Sequence, residues 1–226
     1  MNESSEIFAP LDRVDWEDLE EVSTTTSTVF RHLIGPGVLP RLLANIERRP
    51  ELREMCEHYP TGEKLVLHRS ASTDVRVRLH IFHPGHRDKP HNHRWTFATR
   101  VVHGAYTHRL YSPAQPTGVA DDGGLTAGLQ PVMTRVESAG SGYVLHHRQF
   151  HTVETDTETI SVIVRGPAVK GRFAAVDRTT RTREWNYGAD DESRAQRAVK
   201  FMNDDLLAKA LDRAMTLLQD TRLDPL

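Results

Sequence analysis

Cys56 is the only cysteine in the chain. A single thiol excludes an intramolecular disulfide and a cysteine-built zinc cluster, and it fits a reducing compartment. An excess of one charge is also missing. The 29 Lys and Arg against 31 Asp and Glu leave a formal net charge of -2, without the basic surplus that a nucleic-acid surface needs. No apolar run approaches the roughly 18 residues of a membrane span. The opening residues, MNESSEIFAPLDRV, have neither a basic stretch nor an apolar one, so no secretory leader is expected there. Together these absences predict a cytoplasmic protein that engages neither nucleic acid nor membrane. The 226 residues that carry them are enough for one sizeable core.

Histidine is what the chain has in excess. There are 13, and all but His32 fall between His58 and His151. Such clustering points to metal chemistry.

Taken in order, residues 1–13 read as a loose tail and Asp15 to Val22 as a short acidic helix. The Ser/Thr run from Thr24 to Thr28 favours a cap or turn. Between Pro40 and Tyr59, Leu42, Leu43 and Ile46 form one apolar patch and Leu52, Met55 and Cys56 another. Pro50 divides them into two short helices. Strand patterns begin with KLVLH at Lys64. Val75, Val77, Leu79 and Ile81 then alternate with Arg76, Arg78, His80 and Phe82, the period of a half-buried strand. The alternation does not say which face lines a pocket. Thr96 to Val102 and Ala105 to Tyr111 are predicted as strands joined at His103-Gly104. Val132 to Val136, Tyr143 to Leu145 and Thr159 to Arg165 are predicted as three more. Ser112 to Gly128 reads as a mobile loop. From Asp190 a helical pattern through Val199, Met202, Leu206, Ala210, Ala214 and Leu218 predicts an amphipathic helix, packed on the β-domain or on a second subunit.

Short strands between turn signals, with no βαβ alternation, mean an antiparallel barrel or sandwich. The expected division is an N-terminal helical extension over 1–62, a mainly β domain over 63–187 and a C-terminal helix over 188–226.

The chemistry gathers in Gly85 to Gly104, GHRDKPHNHRWTFATRVVHG. On a strand, residues i and i+2 share a face. His91 and His93 then aim two imidazoles at one point, the first half of a metal site. A third histidine is available at His146, His147 or His151. This pattern resembles the cupin family, whose first motif is G-x5-H-x-H-x3-E-x6-G. Gly85, His91, His93 and Gly104 fall on those spacings, and Phe97 stands where the family has glutamate. Gly140 and His151 match the family's second motif, G-x5-P-x-G-x2-H-x3-N, with His146, Arg148 and Thr155 replacing the other positions. The resemblance therefore selects His151 as the third ligand. It implies a double-stranded β-helix, the jelly-roll barrel, with the metal inside.

Without the carboxylate the set is three neutral histidines, and within the cupins that resembles the thiol dioxygenases, such as cysteine dioxygenase. Their ferrous iron binds a thiolate and dioxygen to yield a sulfinate. They hold an amino-acid carboxylate with an arginine before H-x-H. Arg69 is the nearest such residue here, with Arg76 and Arg78 as rivals. The cysteine that some of them crosslink to tyrosine has no counterpart after His93. Phe97 would border the substrate, and Tyr106 supplies either a pocket hydroxyl or barrel packing. His103 and His108 read as solvent-facing or as supports of the ligands. Glu154 is placed on the opposite face of its strand from His151.

Three functions follow. The leading one is a mononuclear iron(II) oxygenase that takes dioxygen and a small amino-acid-like or thiol substrate. The second is a redox-neutral enzyme in which Zn, Ni or Mn acts as a Lewis acid for isomerisation or bond formation; three imidazoles would also accept Cu. The third is a ligand-binding protein without catalysis. A homodimer is plausible for each.

Overall fold

The computed structural model describes residues 3–113, 128–180, 182–188 and 191–219. The chain opens with α1 (Glu3–Phe8) and a 3-10 turn over Ala9–Arg13. The described part of the expected tail is thus folded down. Phe8 and Leu11 are buried, and the Phe8 ring stacks on His68 at 4.3 Å.

α2 (Leu19–Leu33) is capped by Asp18, whose carboxylate accepts from the amides of Glu20 and Glu21 at 3.0 and 3.1 Å, the arrangement that stabilises a helix start. It runs straight through the Ser/Thr segment expected to break it. The Thr26 hydroxyl donates back to the Val22 carbonyl at 2.6 Å. Val22, Thr26, Val29, Phe30 and Leu33 form one buried stripe, so burial outweighs the weak local propensity. α3 (Val38–Ile46) follows, and Pro50 opens α4 (Pro50–Arg53). The helical reading toward Tyr59 stops short. Residues beyond α4 become β1 (Glu57–Tyr59), because they pair with the edge of β2 (Gly62–Arg69).

The remaining strands are β3 (Arg76–Phe82), β4 (His86–Arg87), β5 (Phe97–His103), β6 (Ala105–Pro113), β7 (Leu129–Ser138), β8 (Gly142–Leu145), β9 (Phe150–Thr155), β10 (Thr159–Arg165), β11 (Arg172–Val176) and β12 (Arg183–Tyr187). They form a six-stranded sheet, β1-β2-β3-β10-β5-β8, a four-stranded sheet, β4-β9-β6-β7, and the β11-β12 hairpin. Every named pairing is antiparallel. Val101 of the first sheet packs with Tyr106 and Val153 of the second, so the two sheets face each other. This is the double-stranded β-helix with helical additions that the motif resemblance implied. The loop expected over Ser112 to Gly128 lies outside the described residues except at its two ends, which belong to or adjoin β6 and β7.

β3 decides what the barrel encloses. Its apolar face, Val77, Leu79 and Ile81, turns outward and shares one core with Leu42, Leu43 and Ile46 of α3. Its other face, Arg76, Arg78 and His80, turns inward and borders the barrel's cavity. The helices supply the apolar cover, which leaves the barrel interior free to be charged.

The C-terminal helical pattern divides in two, α5 (Arg194–Val199) and α6 (Asp204–Gln219). Between them the chain is held by the barrel. The Lys200 ammonium donates to Glu57 and Glu192 at 2.7 Å each, Phe201 bridges Glu57, and Met202 is buried. The stripe Leu207, Ala210, Leu211 and Ala214 of α6 joins the same core as α3 and β3. Among the described residues no helix is long and apolar enough to cross a membrane.

Candidate metal centre and its cavity

His91 and His93 lie between β4 and β5, in a segment that forms no regular strand. The expectation that strand pleating aligns them is therefore corrected. Backbone contacts to two separate elements hold the segment instead. His91 exchanges both amide bonds with His151 of β9, at 3.0 and 2.9 Å. The Asn92 amide donates to the Ala174 carbonyl at 3.1 Å, and the Ala174 amide donates to the Asn92 side chain at 2.9 Å. The segment is stitched between β9 and β11.

The result still converges. Ring centroids of His91, His93 and His151 are 4.8, 4.7 and 5.0 Å apart pairwise. One ligand nitrogen from each falls within 4.8 Å of the others. Nε2 of His93 and Nε2 of His151 stand 2.8 Å apart. Two cis ligands at about 2.1 Å from one ion would be about 3 Å apart, so the spacing suits a shared metal. His91 Nδ1 donates to the Lys89 carbonyl at 2.9 Å, which leaves its Nε2 free to ligate. Burial first, then the neighbouring His91, pushes His93 and His151 well below the usual histidine range. Both are neutral at pH 7 with a lone pair available, as a metal requires. The Phe97 ring lies against the triad, 4.8 Å from His93 and 5.8 Å from His151.

His108 stands behind His151. Its Nε2 is 3.2 Å from His151 Nδ1, its ring stacks on Tyr143 at 4.1 Å, and its Nδ1 is 3.6 Å from the buried carboxylate of Glu137. If His151 ligates through Nε2, its Nδ1–H donates to His108, whose own Nδ1–H faces Glu137. Of the two readings for His108, the supporting role matches this placement. Tyr106 is buried and donates to the Tyr143 hydroxyl at 3.3 Å. It is not among the described residues that border the cavity, a placement that matches barrel packing. His146 and His147 lie apart from the triad, against Glu17 at 3.1 and 3.4 Å, and form a second candidate cluster with it. Glu154 pairs with Arg109 at 2.5 Å.

His91, His93 and Phe97 border a cavity of about 870 Å³, and so do Arg69, Arg76 and Arg78. Arg69 lies at an exposed edge, bonded to Asp74 at 2.8 Å. Arg76 and Arg165 reach the same carboxylate, each at 2.9 Å. Burial raises the Asp74 pKa, but bonds and charge from Arg165 and Arg76 outweigh it and hold the carboxyl well below its usual range. Sequence reasoning missed Arg165, Asp74, Trp95 and Phe173, all of which line the cavity. Arg165 was within reach of it. In TISVIVR, Ser161, Ile163 and Arg165 share one face, and that face pairs in register with His80, Arg78 and Arg76. Phe173 carried no signal, because β11 was not read as a strand.

No family model and no curated protein matches the sequence. Among solved structures, the chain is similar to a protein with a double-stranded β-helix domain from Klebsiella pneumoniae. That match has 17% identity and a TM-score of 0.38 and covers 53% of this chain and 88% of that one. It is also similar to an RmlC-like cupin from Shewanella frigidimarina, at 16% identity and a TM-score of 0.36, over 52% of this chain and 87% of the other. A third is KdgF from Halomonas sp., at 20% identity and a TM-score of 0.32, over 47% and 82%.

Proposed function

We propose that the protein is a mononuclear metal-dependent enzyme in which His91, His93 and His151 hold Fe(II) and a small acidic substrate reacts with dioxygen. The observation that carries this reading is the convergence of three imidazoles on one point at the wall of a large, arginine-lined cavity. Bound iron would supply the activation of dioxygen; the remaining work belongs to the chain. His108, 3.2 Å from Nδ1 of His151, would fix the tautomer and orientation of that ligand. Phe97 keeps carboxylate and water away from the ligands. Arg69, Arg76 and Arg78 are candidates to hold a substrate carboxylate, because a guanidinium fork matches its two oxygens.

The test is oxygen uptake by protein loaded anaerobically with Fe(II), run against a panel of amino acids and thiols. Dioxygen consumed in step with substrate supports the reading. Turnover that persists without oxygen overturns it in favour of a redox-neutral reaction with Zn, Ni, Mn or Cu, since three neutral imidazoles accept all of these. Metal bound without turnover of any kind points to a binding protein. Replacing His91 with Ala should cut metal content from about one ion per chain to a trace, read by elemental analysis. Unchanged metal content would sink the site itself.

A further inference from the structure

The cationic wall of the cavity is out of balance. Arg76, Arg78 and Arg165 stand on adjacent strands, with Arg78 opposite Ile163 and Arg76 opposite Arg165. Among the described residues, Asp74 is the one carboxylate bonded to this group, through Arg76 and Arg165. Arg78 is 8% exposed and Arg165 is 3% exposed. Among the described residues no carboxylate pairs with Arg78, and the Nε atoms of Arg78 and Arg165 are buried with no hydrogen-bond partner. Glu57 is within electrostatic reach of Arg78, but it accepts from Lys200 at 2.7 Å and pairs with Lys64 at 3.8 Å. Asp74 also serves Arg69 at 2.8 Å, so its single charge is divided among several guanidiniums, and the buried excess at Arg78 and Arg165 is costly unless a ligand supplies countercharge.

Trp95 sets the geometry. The Arg165 and Arg78 guanidinium carbons lie 4.8 and 5.8 Å from its ring centre. A ring holds guanidiniums by their faces. Arg165 already donates from Nη1 to the Gly166 carbonyl at 2.8 Å and from Nη2 to Asp74 at 2.9 Å, so the donors it and Arg78 have left for an oxyanion include their two unpartnered Nε groups. The group also borders the histidines: Arg165 pairs in register with Phe97, whose ring lies 4.8 Å from His93.

We propose that the cavity binds a small oxyanion carrying two negative charges, a dicarboxylate or a phosphate monoester, held by Arg78 and Arg165 beside Trp95. This rests on reading the cavity as the substrate site. It adds Arg165 as a specificity-determining residue and sets the charge of the substrate at minus two. A bound anion would offset the burial, and the repulsion from Arg78 and Arg76, that depress Arg165.

The experiment is calorimetric titration of the full-length protein, stripped of metal, with malonate, inorganic phosphate and acetate at matched ionic strength. The dianion should bind at least about tenfold more tightly than acetate, the worth of one further charge-assisted hydrogen bond. Whether malonate or phosphate leads identifies the source of the charge. Arg165→Gln and Arg78→Gln should each lower that affinity by about tenfold or more, with metal content unchanged. Arg78→Lys keeps the charge but loses the fork, and is expected to bind between the two; it serves where the Gln variant does not fold. Equal affinity for acetate and the dianions, no binding of any of the three, or Arg78 and Arg165 variants that bind like the parent would overturn the proposal. His91→Ala separates the two readings. It should lose metal while keeping the anion, so failure of the metal site leaves the anion result standing.

Discussion

Phe97 brings hydrocarbon to the edge of the three histidines. Its ring contacts His93 and His151, so Phe97→Glu would bring a carboxylate to the edge of the triad. The expected outcome is a charged site with altered metal preference, visible as a changed EPR signal of the Fe(II)–nitric oxide adduct. An unaltered signal would mean that position 97 does not face the metal. His108 is the second residue to test. Its Nε2 is 3.2 Å from His151 Nδ1, so His108→Ala should weaken metal binding by about 10- to 100-fold, the usual effect of losing such a support, as measured by competition with a chelator. Asp74 offers a third measurement. It sits at φ 58°, in the left-handed region that Asp and Asn tolerate. Asp74→Asn therefore keeps the backbone and removes only the charge that Arg69, Arg76 and Arg165 share. Loss of these charge-assisted bonds should cost about 2 kcal/mol, read from the urea midpoint.

At the scale of elements, local pattern was a good guide where one face of a segment is buried and a poor one where tertiary contact overrides propensity. The alternation in β3 was legible from Val75 to Phe82. The Ser/Thr run was misread, because the apolar stripe of α2 against the barrel outweighs a few unfavourable helix residues. The short pieces β4 and β11 carry almost no periodic signal, yet they border the H-x-H segment. Two local devices can be tested. Asp18→Ala should cost about 1 kcal/mol by removing the α2 cap. Gly166→Ala should cost more, since a Cβ there would fall 2.3 Å from the Trp16 ring. The checks are thermal melts, with limited proteolysis to show whether the N-terminal segment is released.

For the whole molecule, acid should loosen the attachment of the helical layer. His68 stacks on Phe8. Burial pushes its pKa down to about 4 from 6.5, with Asp12 opposing and Arg49 adding to the shift. Between those values the unfolded chain binds the proton and the folded chain does not, so stability rises with pH across that window. The contribution is complete above pH 6.5 and is lost as pH falls toward 4. The urea midpoint should fall from pH 7 to pH 4.5, and His68→Gln should flatten part of that slope. A slope unchanged in the variant would place the sensitivity elsewhere.

By itself the sequence supplied the H-x-H pair, the antiparallel strand class and the alternation that builds β3, because these follow from residue type and local spacing, whereas His151 was selected among three histidines only through the motif resemblance. Which face of β3 turns inward was decided only by the tertiary structure, since that depends on where the helices dock to cover the apolar side. The same holds for the charge of the cavity. Arg78, Arg165 and Asp74 come from different segments, and their imbalance exists only once β3 and β10 lie side by side. The histidine pair began as two residues presumed aligned by a strand's pleat. In the folded protein their alignment comes from β9 and β11, whose backbone groups hold an otherwise irregular segment in place.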